Sequence, residues 1–131
     1  MKKKYIFYCL CFVTVIVLIG CSKNTSKIKY NNDIFTKDIY NDIIEINYME
    51  NDTTHKITDS KMISNVYKEL ASLELSPSND KIQKYGQMYL KIITSKQTID
   101  IGLQSEEISI GKDKYYVDKD ICTTLQNLLL K

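Results

Sequence analysis

Between residues 88 and 117 apolar and polar side chains alternate with a period of two, interrupted by three short polar breaks at Ser95-Lys96, Ser105-Glu106 and Lys112-Asp113. That period belongs to strands with one buried face. Taking each break as a two-residue hairpin loop sets four antiparallel strands in register. Met88, Leu103, Ile108 and Val117 then form one row across the sheet. Leu90, Ile101, Ile110 and Tyr115 form a second on the same face, and Ile92 meets Ile99. A slip of one residue would turn an apolar set to the opposite face, so three concordant hairpins constrain the register strongly. On the reverse face Lys91 lies across from Asp100 as a cross-strand ion pair. There Tyr89, Gly102, Ser109 and Tyr116 make a row of two aromatics around two small residues.

Upstream, Ile44, Ile46 and Tyr48 alternate with Glu45 and Asn47, the pattern of another half-buried strand, which the turn formers Glu50-Asn51-Asp52 end. A helix is predicted from Thr58, with Thr58 as N-cap and Ile57 and Met62 at the positions of a hydrophobic staple. Ile63, Val66, Tyr67, Leu70 and Leu73 supply its apolar stripe, and Ser76-Pro77-Ser78-Asn79 stops it. Asp118 or Asp120 can cap a last helix that buries Ile121, Leu125, Leu128 and Leu129 and ends at Lys131. Residues 21–38 are poor in apolar groups and read as a flexible tether, the stretch Ser22 to Lys37 having a coil dimension of roughly 20–25 Å. An extra strand around Ile34-Phe35 is the alternative. Residues 39–131 then form a single domain. Its order is strand, helix, four-strand meander, helix, and a two-layer α+β fold with both helices on one sheet face buries every apolar stripe. That order is similar to the β-α-β4-α arrangement called TBP-like.

The amino end has a different character. Met1-Lys2-Lys3-Lys4 precedes an apolar run from Tyr5 to Gly20, the layout of a signal peptide over residues 1–20. Its sixteen apolar-run residues fall short of the ~20 that span a bilayer. Leu18-Ile19-Gly20-Cys21 resembles the lipobox of bacterial lipoproteins. The resemblance implies cleavage before Cys21, a diacylglyceryl group on its sulfur, and a domain anchored in the membrane through that lipid. The expected address is the outer face of a bacterial cell membrane, of Gram-positive type. Over about residues 40–131, through Ile57-Thr58-Asp59 and Tyr115-Tyr116-Val117-Asp118, the chain also resembles small lipoproteins of clostridia and related bacteria, a family with no assigned function.

Composition narrows the chemistry. Losing Lys2, Lys3 and Lys4 with the signal brings 18 basic residues to 15 against 16 acids, a net charge near −1 that gives no support to a nucleic-acid partner. Cys9 and Cys11 lie in the signal and Cys21 takes the lipid, so Cys122 remains as the one thiol and no internal disulfide is expected. His55 is the only histidine, without Cys or His at ligand spacing, and Asp113, Asp118 and Asp120 lack the order of a calcium loop. No nucleophile elbow or phosphate loop occurs. Cys122 reads as a small core residue, and Glu106-Glu107 as a solvated turn. The expectation is a non-enzyme without metal or cofactor. It is a surface-tethered binding or accessory domain, immunity- or inhibitor-like in one version, whose ligand is a protein, peptide or envelope polymer. A structural or assembly subunit of a membrane complex is the alternative. The candidate contact residues are Tyr89, Gly102, Ser109 and Tyr116, against the plainer role in which Tyr89 shields a strand glycine.

Overall fold

The computed structural model describes residues 28–79 and 88–130. The signal region, Cys21 and the first part of the expected tether lie outside the described residues. Among the described residues the fold is α+β: a seven-strand antiparallel open sheet and three helices. In chain order these are α1 (Lys37–Asn41), β1 (Ile43–Glu50), β2 (Thr53–Ile57), α2 (Ser60–Ala71), β3 (Leu75–Pro77), β4 (Met88–Thr94), β5 (Thr98–Leu103), β6 (Glu107–Ile110), β7 (Asp113–Val117) and α3 (Ile121–Leu129). Across the sheet the order is β2-β1-β4-β5-β6-β7-β3, so the expected meander sits inside a wider sheet. None of the helices among the described residues is long and apolar enough to cross a membrane.

The two hairpins β4–β5 and β5–β6 have the register that alternation predicts. Met88 faces Leu103, Leu90 faces Ile101, Lys91 faces Asp100 and Ile92 faces Ile99, followed by Ile101 opposite Ile110 and Leu103 opposite Ile108. The third hairpin differs. Its loop is Gly111-Lys112, not Lys112-Asp113, so Ile108 meets Tyr115 and not Val117, and Ile110 meets Asp113. Gly111 takes φ +60°, which places a glycine at the first central position of the turn, where a side chain would be strained. Moving the pairing by two residues keeps every side chain on its expected face and changes only its neighbours.

β1 and β2 form a hairpin where a strand end was expected. Asn51 and Asp52 both adopt positive φ, 47° and 64°, as a two-residue turn of the primed type requires, and Glu50 pairs directly with Thr53. β1 also carries a bulge between Ile43 and Glu45 where it pairs with β4. The extra residue is Ile44, which is turned outward and 57% exposed instead of joining Ile46 in the core.

α2 begins one residue later than Thr58. Asp59 is the N-cap, its carboxylate accepting from the Met62 N–H at 2.9 Å, so Ile57 and Met62 are not a staple pair, and Ile57 is buried as the last residue of β2. The helix stops at Ala71, well before Pro77, and Leu73 is buried beyond its end. The chain then forms β3, an edge strand in which Pro77 lies opposite Tyr115. Asp120, of the two candidate caps, starts α3, accepting from the Thr123 N–H at 3.1 Å and its hydroxyl at 2.7 Å. Those bonds hold its carboxyl below the usual aspartate range. Asp118 instead accepts from the Glu74 N–H at 3.0 Å.

The tether expectation is corrected for residues 28–36, which pack onto the domain. Asn32 Nδ2 donates to the carbonyls of Leu70, Ala71 and Leu73 at 3.0–3.3 Å, satisfying the last turn of α2, while its Oδ1 accepts from the N–H groups of Ile34 and Phe35. Asn31 N–H and Nδ2 donate to Ala71 and Ser72 carbonyls, each at 2.8 Å. Phe35 is fully buried, edge-on to Tyr67, whose hydroxyl donates to the Thr36 carbonyl at 2.7 Å. Burial, with Tyr30 nearby, pushes the Tyr67 phenol well above its ordinary pKa. No strand forms around Ile34-Phe35. The core thus lies between the helices and one face of the sheet, with Ile46, Leu90, Ile92, Ile101, Leu103 and Ile108 meeting Val66, Tyr67, Leu70, Ile121 and Leu125. Ile110, expected there, is only half-buried.

Candidate functional site on the reverse sheet face

Strand parity sends a second set of side chains away from the helices. Direct pairing across six strands gives the row Thr54, Met49, Tyr89, Gly102, Ser109 and Lys114. Beside it run Lys56, Asn47, Lys91 and Asp100. A groove of about 530 Å³ lies over this face, lined among others by Asn47, Met49, Tyr89, Lys91, Gly102 and Ser109.

Three of the four sequence-predicted contact residues are neighbours here. Tyr89 pairs with Gly102 and Gly102 with Ser109. A Cβ at Gly102 would press on the Ser109 hydroxyl and lie 3.7 Å from Tyr89 Cε1. Tyr89 therefore covers the glycine. Tyr116, the fourth, is displaced from the row by the Gly111 turn and pairs with Glu107 and Ser76. Both tyrosines keep substantial exposure, 41% and 43%.

The residue that takes Tyr116's expected place is Lys114, which sequence reading passed over because Lys112-Asp113-Lys114 resembles a polar loop. Its side chain is 7% exposed and its ammonium lies 2.6 Å from Glu107 Oε2. A charge held that far from water is stable only with its counter-charge in place. Lys91 and Asp100 are different: 3.8 Å apart and 53% and 70% exposed, they are a solvated pair of little energetic weight. Asn47 Nδ2 donates to Glu45 Oε1 at 3.2 Å, whereas its Oδ1 is shielded from water without a hydrogen-bond donor.

The remaining candidates are dispersed. Cys122 is buried in the first turn of α3, and burial, with Asp120 nearby, raises its thiol pKa. His55 stacks on Tyr48 at 4.7 Å and lines a groove with Leu129, at the far end of α3 about 10 Å away along the helix axis. They do not form a thiol–imidazole pair. Among the described residues no group of three metal-ligating side chains converges. Compared with protein-family models, with curated proteins and with solved structures, the chain matches none of them.

Proposed function

We propose that the chain is a membrane-tethered surface lipoprotein, acylated at Cys21, whose α+β domain is a non-catalytic binding or accessory module at the outer face of a bacterial membrane. The anchor is supported by the lipobox-like Leu18-Ile19-Gly20-Cys21 behind a lysine-led apolar run. The binding role is carried by one observation: exposed Tyr89 and Tyr116 stand on the sheet face turned away from the core, where Tyr89 lines a groove of about 530 Å³. The ligand class is a protein, peptide or envelope polymer, and an immunity- or inhibitor-like role is the specific form. Within this reading β1, α2, the β4–β7 meander and α3 are a TBP-like core, with β2 and β3 added at its edges.

Two measurements test it. Mass spectrometry of the wild-type mature protein should find a diacylglyceryl Cys21 at its amino end, and Cys21→Ala should abolish lipid labelling. A photocrosslinker on the reverse face should then capture a partner in whole cells, and the double change Tyr89→Ser, Tyr116→Ser should weaken capture while leaving the melting temperature nearly unchanged. A mature protein without lipid overturns the anchor. Undiminished capture by a folded double variant overturns the binding face. Capture as a fixed-stoichiometry complex that survives purification favours the assembly-subunit reading instead.

A further inference from the structure

The two edges of the sheet are built differently, and one of them is left able to accept another strand. β3 is three residues long and contains Pro77. β2 has five residues and no proline, and Thr53 to Lys56 are exposed. In the β1–β2 hairpin the tight turn makes Glu50 and Thr53 a hydrogen-bonded pair, so Tyr48 with His55 and Ile46 with Ile57 are the next such pairs. The N–H and C=O groups of Thr54 and Lys56 consequently point away from β1. No hydrogen bond from the described residues reaches them. Along the helix side of this edge runs a second groove, about 580 Å³, bounded by Tyr48, His55, Ile57, Met62 and Leu129.

We propose that the β2 edge is a peptide-binding site that takes an extended polypeptide segment as an added strand, with an apolar side chain opposite His55 entering the groove. Alternating donors and acceptors at strand spacing match only an extended backbone, and directly opposed residues share a sheet face. The ligand residue facing His55 is thereby aimed at Met62 and Leu129. A second copy of the chain is a poor occupant. Of the β2 residues directed to that side, Thr53 and His55 are polar and Ile57 is already buried in its own core. The apolar wall of this groove lies on the sheet face opposite Tyr89, although Thr54 borders both grooves, and the site does not depend on the lipid anchor.

The test uses the full chain in detergent and two blocked hexapeptides. One is acetyl-Thr-Val-Thr-Leu-Thr-Lys-amide; the other replaces its third and fifth residues by proline, removing the backbone donors that would face β2. The first peptide should slow amide hydrogen exchange at Thr54 and Lys56, and the prolyl peptide should not. Lys56→Pro removes an outward N–H that β1 does not use, so it should fold and lose at least about tenfold in affinity for the first peptide. Should that variant fail to fold, the wild-type exchange pattern with the two peptides decides. Absence of protection at Thr54 and Lys56, equal protection by the prolyl peptide, or normal binding by folded Lys56→Pro overturns the proposal. Concentration-dependent protection of these amides without peptide would also overturn it, assigning the edge to a second copy.

Discussion

The two faces of β5 are separated by one backbone and differ in almost everything else. Ile101 and Leu103 point into the core and are lost to water, whereas Asp100 and Gly102 point away from it, the first largely solvated and the second covered by the Tyr89 ring. On the core face stability follows from apolar area removed from water and from close packing. On the reverse face the same strand offers a charge that water already satisfies and a position with no side chain at all. The lesson is that one face carries the fold while the other is left with chemical variety. Even there the contrast is not uniform, because Lys114 and Glu107 bring a shielded ion pair onto the reverse face.

Substitutions should separate the faces by size of effect. Leu103→Ala, at a fully buried site, should cost about 2–5 kcal/mol by denaturant unfolding, against under about 1 kcal/mol for Asp100→Ala. Comparable costs would erase the distinction. Asn32→Ala is expected next, at about 1–3 kcal/mol, since it strips the donor from three carbonyls at the end of α2 and frees the N–H groups of Ile34 and Phe35 in the strap formed by residues 28–36. Faster proteolysis near residues 28–36 should accompany it, and an unchanged cleavage rate would show that the strap is held by Phe35 alone.

Asp120→Ala should cost about 1 kcal/mol at neutral pH through loss of the α3 cap. Because the native carboxyl is held low, its contribution is present above the ordinary aspartate range and is lost as pH falls through the lowered pKa. The gap between wild type and variant should therefore close in acid. A pH-independent gap would mean that the cap acts without its charge. The smallest effect belongs to Lys91→Gln, within about 1 kcal/mol and shrinking with added salt, as its exposed partner Asp100 implies. A larger loss would show that the reverse face bears weight in the fold.

Legibility followed the same division. The register of β4–β6 could be read because each strand alternates and a wrong slip would expose a whole apolar set. The last hairpin was off by two residues because a shift of two leaves the alternation intact, and only the backbone freedom of Gly111 distinguishes the two loops. β2 escaped notice since four of its five residues are exposed and polar enough to pass for a loop. The strap escaped for another reason: the donors Asn31 and Asn32 lie some forty positions from the carbonyls they cap (sequence separations of 38 to 41), and no local pattern records that. At the candidate site, parity placed Tyr89, Gly102 and Ser109 together, while the turn at Gly111 put Lys114 where Tyr116 was expected.

By itself the sequence determined the α+β class, the inward and outward faces of the meander, the apolar stripes of α2 and α3 and the capping role of one of two aspartates. These depend on periodicity, which one chain segment contains in full. Only the tertiary structure decided the seven-strand width, the outward turn of Ile44, the docking of residues 28–36, the shielded Lys114–Glu107 pair and the open edge at β2. Each of those is a choice among partners distant in sequence. It is settled by which arrangement leaves the fewest buried polar groups unpaired and the most apolar surface covered.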